Sequence, residues 1–468
     1  MQKDRLIKMA ALFVLAAVIM MIPPPEGLTP VAWKIFAIYV AAILGLVLKP
    51  FSEPVILLTA IASSAILLNN LGGILRAGYA SSTTWLVFCA FSLSAAFIKT
   101  ELGKRIAYVL MGKLANSTLG MGYVIAFLEL IISPVTPSNT ARAGGIIFPI
   151  ANSVAIALGS EPGPSGRRAG SYFMMNLWCA TKTSSYIFLT AMAPNALAAK
   201  FCLDILKVDV DWTKWFIAAS LPGVLLILLT PWLVYMLDKP ELKKIDGKSL
   251  AEAGLKELGP MKASEKALSC IFILALAGWI FGGQLKINGT AVAMGAMVLC
   301  LLFNVITWDD MLKTKGGWST LIWFGGIIGM SGVLSSSKFF EWLANWMGGI
   351  IPQGLDGFTA LVIITGLSCA VRYLFASGSA YVAAMMPVFL TVGLACGAPV
   401  GALSLALLFS NSYGGMVTHY GGAAGPILFG SGYTDVSRWW MVGGVMTVLH
   451  FIVHMTLGVA WWKMLGYY

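Results

Sequence analysis

The chain has 468 residues, of which 58% are hydrophobic and only 11% charged, and its mean hydropathy is +0.84. That balance excludes an ordinary soluble domain and defines an all-helical polytopic membrane protein. The formal charge of +11 does not indicate nucleic acid, because the basic residues sit in the segments that connect apolar runs.

Apolar stretches, most of about 17 to 25 residues and long enough to cross a bilayer as helices, run near 6–22, 31–48, 54–71, 83–100, 170–203, 215–237, 267–283, 290–305, 318–336, 399–430 and 439–463. The first has no small-residue cleavage signal and runs into Pro23, Pro24 and Pro25, so it reads as a retained helix. Two further apolar regions, 118–158 and 357–396, are broken in the middle. Basic groups cluster at Lys3, Arg5 and Lys8, at Lys99, Lys104, Arg105 and Lys113, and at Arg167 and Arg168. The longest polar loop, 238–266, holds seven lysines and six acids. Placing these segments in the cytoplasm satisfies the positive-inside rule, with the N-terminus cytoplasmic and the C-terminus outside.

The region SPVTPSNTARAGGIIFP, 133–149, carries Pro134, Pro137, Gly144 and Gly145 inside an apolar stretch, so no helix runs through it unbroken. Backbone broken at membrane depth is tolerated only where protein or an aqueous cavity covers it. The turn exposes Ser138, Asn139 and Thr140, which fits a small-solute site. A polar loop outside the bilayer is the bland alternative.

The second half repeats the first in order. TTWLVFCAFSLSAAFIKTELGKRIAYVL returns as STLIWFGGIIGMSGVLSSSKFFEWLANWM. In LSCAVRYLFASGSAYVAAMMPV, Ser377, Gly378 and Ser379 stand where the first half has Ser138, Asn139 and Thr140. A span interrupted near its middle follows each broken hairpin, around Pro194 and Asn195 and from Thr418 to Pro426. The expected division is a first repeat over 1–237, a cytoplasmic linker over 238–266 and a second repeat over 267–468. With the topology above the two hairpins enter from opposite sides, the inverted repeat in which discontinuous helices meet at a midplane site. Gly-rich helix packing is the alternative, and it is the expected role of Gly325 and Gly329.

Half-helix N-termini favour carboxylates, and Ser, Asn and Thr add neutral donors. Arg142, Lys182, Arg372 and His419 lie near the breaks. Snorkelling to the interface is the bland role of each, expected more for Lys182 and Arg372 than for Arg142 or His419. The nearest acid is Glu129, nine residues before Ser138, with the cytoplasmic boundary as its alternative location. A site rich in donors and poor in carboxylates suits an anion with two acidic ends. The seven cysteines show no metal-ligand spacing and read as packed thiols. His450 and His454 share a helix face without a third ligand, and Asp309 and Asp310 precede lysines as in a solvated loop. No cofactor or metal is expected, and no nucleophile–base pair supports an enzyme.

TPSNTARAGG, FLTAMAPN, RYLFASGSA and THYGGAAGPILFGSGY, in that order over essentially the whole chain, resemble the divalent anion/sodium symporter family. The chain is similar in particular to its exchanger branch, with bacterial citrate/succinate and tartrate/succinate antiporters and plastid 2-oxoglutarate/malate translocators. The resemblance implies a homodimer in a bacterial cytoplasmic (inner) membrane, with a scaffold domain and an elevator-type transport domain. It implies di- or tricarboxylate substrates and lipid as the remaining partner. It carries substrate binding onto Ser138, Asn139, Thr140, Ser377, Gly378, Ser379 and Thr418, with Arg142, Lys182, Asn195, Tyr381 and His419 as neighbouring or charge-compensating groups. Sodium-coupled members have Ser-Asn-Thr at both tips, whereas the second tip here is Ser-Gly-Ser. Exchangers often have His where this chain has Tyr381. Sodium-independent antiport is the expected mode, sodium-coupled symport the alternative, and an anion channel or intramembrane enzyme stands behind both.

Overall fold

The computed structural model describes residues 2–350 and 354–468. Among the described residues nine helical stretches are long and apolar enough to cross a membrane, and Glu53–Leu68, Gly289–Leu302, Gly357–Arg372 and Val400–Tyr413 are shorter apolar helices. Outer helices present Ile66, Ile273, Leu274 and Leu302 to the surroundings, each well exposed, as a lipid-facing surface requires.

The helices fall into two packed groups. One contains Pro30–Leu48, Glu53–Leu68, Ser82–Thr100 and Lys315–Ser336, with the short helix Leu71–Gly78 wedged against the last of these. Gly325 and Gly329 admit that wedge: a Cβ on Gly329 would lie 2.4 Å from the Ile74 carbonyl oxygen. Their expected packing role is what the structure shows. The other group surrounds Gly170–Ile187, in which all residues are buried. Helices Thr118–Val135, Trp212–Leu237 and Val400–Tyr413 pack around it.

Two further helices, Leu102–Leu114 and Phe339–Ile350, follow the long helices Ser82–Thr100 and Lys315–Ser336. Each is entered through one left-handed residue, Glu101 with φ 60° and Lys338 with φ 59°. A left-handed turn thus follows a long helix in each half. In the linker, Gly247–Leu258 forms a helix capped by Asp246, which accepts from the Ser249 N–H at 3.0 Å. It lies on Leu102–Leu114, with Gly254 against Tyr108.

Asp309 and Asp310 belong to a short capped helix, Trp308–Lys313, rather than to a plain loop. Lys99 sits 2.5 Å from Asp310 and, with Thr307, holds its carboxyl well below the usual carboxylate range. Most cysteines are buried or half-buried as expected, but Cys270 is exposed on Ala263–Ile280.

Candidate functional site

The first broken region is a hairpin of Thr118–Val135 and Thr140–Ala157, with Pro134 and Pro137 stopping the first helix short. Ser138 caps the second helix by accepting from the Ala141 N–H at 3.2 Å. The hairpin tip is anchored to the break in the neighbouring helix, because the Ala193 N–H donates to the Pro137 carbonyl at 3.0 Å. Asn195 closes that break, donating from its side chain to the Ser185 and Phe188 carbonyls at 2.7 and 3.1 Å. It is fully buried and off the cavity wall, so its placement is that of a backbone cap.

Arg142 folds back from the start of Thr140–Ala157 into the protein. Its Nε meets Glu129 at 2.6 Å, and its Nη1 donates to both the Thr136 and Ala191 carbonyls, each at 2.9 Å. Nη2 donates to the Asn139 side-chain oxygen at 3.1 Å and to Ser185 at 3.0 Å. Glu129 also accepts from Thr181 at 2.8 Å and Ser184 at 2.9 Å. The hairpin's return brings Glu129 to Arg142 despite their sequence separation, and places the acid in the interior instead of at the boundary. With both Asn139 oxygen contacts taken by Arg142 and Ser185, the Asn139 NH2 is left without a partner among the described residues.

The second broken region is a hairpin of Gly357–Arg372 and Gly378–Ala395, capped by Ser377, which accepts from the Ala380 N–H at 3.3 Å. Tyr381 turns into its own hairpin, 2.6 Å from the Ser368 hydroxyl, and does not line the cavity. Val400–Tyr413 and Gly425–Gly430 are separated by the irregular segment 414–424. Thr418 and His419 lie off the cavity wall: Thr418 is buried, and His419 accepts from Trp440 Nε1 at 3.4 Å and packs on Phe429. Tyr420 and Gly422 take the wall positions instead.

Lys182 and Arg372 reverse the sequence expectation. Both are almost fully buried and both line the cavity, rather than reaching for the membrane surface. Lys182 Nζ and Arg372 Nη2 donate to a single acceptor, the Gly421 carbonyl, at 2.9 and 2.7 Å. Arg372 Nη1 donates to the Phe375 carbonyl at 2.5 Å, while its Nε has no partner. No carboxylate pairs with either cation among the described residues. Glycines make this convergence feasible, since a Cβ on Gly422 would stand 2.7 Å from Lys182 Nζ.

These groups surround one cavity of about 410 Å³. Ser138, Asn139 and Thr140 of the first tip and Ser377, Gly378 and Ser379 of the second share its wall with Lys182, Arg372, Asn411 and Tyr420. Lys49, Glu53, Phe91, Thr320 and Trp323 of the other helix group complete it. Glu53 is the acid on this wall and faces Lys49 at 4.0 Å. Chemically this is a donor-rich, net-cationic chamber. Asn411 is not marked in the sequence by a break, because Ser410, Asn411 and Ser412 lie inside the continuous helix Val400–Tyr413.

The family description "Sodium:sulfate symporter transmembrane region" matches residues 3–468. The chain is 55% identical over 471 residues to inner membrane protein YbhI of Escherichia coli (strain K12), covering 99% of both chains. It is 39% identical over 474 residues to the putative malate transporter YflS of Bacillus subtilis (strain 168), covering 99% of this chain and 98% of that one. The citrate/succinate antiporter of Escherichia coli (strain K12) is 34% identical over 485 residues, with 98% of both chains covered. In fold alone the chain resembles the solved Neisseria gonorrhoeae MtrF, with a TM-score of 0.56, 13% identity, and 98% and 94% of the two chains covered. The capped hairpins, the breaks beside them and a match over nearly the full length make this multi-pass membrane transporter a member of the divalent anion/sodium symporter family.

Proposed function

We propose that this protein exchanges di- and tricarboxylates across a bacterial cytoplasmic membrane without sodium, as a homodimer with an elevator-type transport domain. The carrying observation is the pair Lys182 and Arg372, buried on the wall of the cavity between the two tips without a carboxylate partner among the described residues. A dianion supplies the charge they lack, with the tip residues Ser138, Asn139, Thr140, Ser377 and Ser379 as neutral donors. The relatives known as a citrate/succinate antiporter and a putative malate transporter agree with this class.

Exchange follows from the same charge. Carrying an uncompensated cation through the membrane field involves about 2.3 kcal/mol per 100 mV, and removing it from water adds more. The loaded carrier is neutralised and crosses, whereas the empty one stays. Arg142 contributes nothing to this imbalance, because Glu129 neutralises it. Gly378 supports sodium independence, since it offers no side-chain oxygen to a second cation site. The cavity extends to Lys49 and Glu53, in the turn joining Pro30–Leu48 to Glu53–Leu68.

The intact Ser-Asn-Thr of the first tip favours sodium-coupled symport as the second reading. Purified protein in liposomes separates the two. Labelled succinate uptake should require internal dicarboxylate and be indifferent to replacing sodium by choline. Uptake into empty vesicles driven by a sodium gradient would establish symport instead.

A further inference from the structure

Among the described residues of the cavity wall, Asn411 is the side chain whose two polar atoms are both buried and both without a partner. Asn411 is 2% exposed and lines the same chamber as Arg372 and Ser377. Neither its amide nitrogen nor its amide oxygen has a partner among the described residues. Its position is fixed from behind, because the next residue, Ser412, donates to the Lys182 carbonyl at 2.6 Å. A buried amide without partners is costly, so such a group is retained where a ligand completes it.

We infer that Asn411 selects dicarboxylates bearing a hydroxyl on the carbon next to a carboxylate. The inference rests on the carboxylate reading above and deepens it. Lys182 and Arg372 deal with the charged ends, whereas Asn411 is neutral and offers one donor face and one acceptor face. A hydroxyl is the small group that answers both, accepting from the amide nitrogen and donating to the amide oxygen. A ketone answers the nitrogen alone. A methylene answers neither and leaves both atoms dry. A 2-hydroxy dicarboxylate should therefore bind best, a 2-oxo dicarboxylate less well, and an unsubstituted one least. Recognition of this kind discriminates strongly because the wrong ligand leaves buried polar atoms unpaired.

The test is exchange of labelled succinate in liposomes, inhibited by unlabelled malate or succinate. Malate should be the better inhibitor of the wild-type protein by about tenfold, the scale of one or two unmet buried hydrogen bonds. Asn411→Leu, of similar size, should bring the malate-to-succinate ratio close to one. Equal inhibition in the wild type, or an unchanged ratio in the variant, overturns the inference while leaving dicarboxylate exchange standing. If Asn411→Leu does not reach the membrane, Asn411→Thr keeps one hydroxyl and should show an intermediate ratio, with an unchanged ratio again decisive against it. Wild-type protein that exchanges no dicarboxylate at all would remove the transport reading and this inference together.

Discussion

Arg142 and Glu129 form an ion pair at 2.6 Å with neither side chain exposed, and the pair ties the first hairpin tip to the broken helix behind it. Removing one partner of a buried pair strands the other charge, at a cost of about 3–5 kcal/mol. Arg142→Gln should therefore lower the thermal unfolding temperature of the detergent-solubilised protein sharply. Arg142→Gln combined with Glu129→Gln should recover most of the loss. Arg142→Gln with wild-type unfolding would contradict a structural role and return the residue to the transport cycle.

Lys182→Gln and Arg372→Gln should each weaken succinate binding by about 10- to 100-fold, since a hydrogen bond to a charged partner contributes about 1.5–3 kcal/mol. Each also lowers the charge of the empty carrier, so some net uptake should appear in vesicles without internal substrate. Competition binding and uptake into empty liposomes read the two effects separately. Strict exchange with unaltered affinity in both variants would place the substrate elsewhere.

Gly329→Ala should destabilise the protein by about 1–3 kcal/mol, the usual range for overpacking. The added methyl would meet the Ile74 main-chain oxygen at 2.4 Å, and a main chain cannot rotate away as a side chain can. Gly295 has open space at the same atom, so Gly295→Ala is the control and should unfold like the wild type.

The Lys99–Asp310 pair should give a small pH signature. The Asp310 carboxyl is held below its ordinary value of 3.8, so its contribution is full above that value and fades as pH falls further. Because the pair is partly exposed, Asp310→Asn should cost only about 0.5 kcal/mol at neutral pH. The cost should shrink in acid and in high salt, as unfolding followed against pH and ionic strength would reveal.

The tips were legible because prolines, glycines and small polar residues are conspicuous inside an apolar run. The roles of the cations were not. Arg372 ends a helix and so resembled an interfacial anchor, although that helix ends inside the protein. Lys182 offered one clue: it stands well inside a long, nearly charge-free segment, too far from either end to reach water. Glu129 and Arg142 form a pair only after the hairpin reverses. Thr418 and His419 shared a glycine-rich motif with the residues that do line the chamber, and the turns of an irregular segment decide which of its side chains face inward. Sequence spacing carries no such information.

Lys182 and Arg372 rest on the main-chain oxygen of Gly421. An acceptor of that kind cannot be removed by changing a side chain. Under the proposed function, an arriving carboxylate competes with a contact that belongs to the chain trace itself, and measured affinity is a difference between two good partners. Easing that competition while keeping both cations consequently calls for moving the backbone around residue 421, where Gly415, Gly421 and Gly422 pack too closely to admit a side chain.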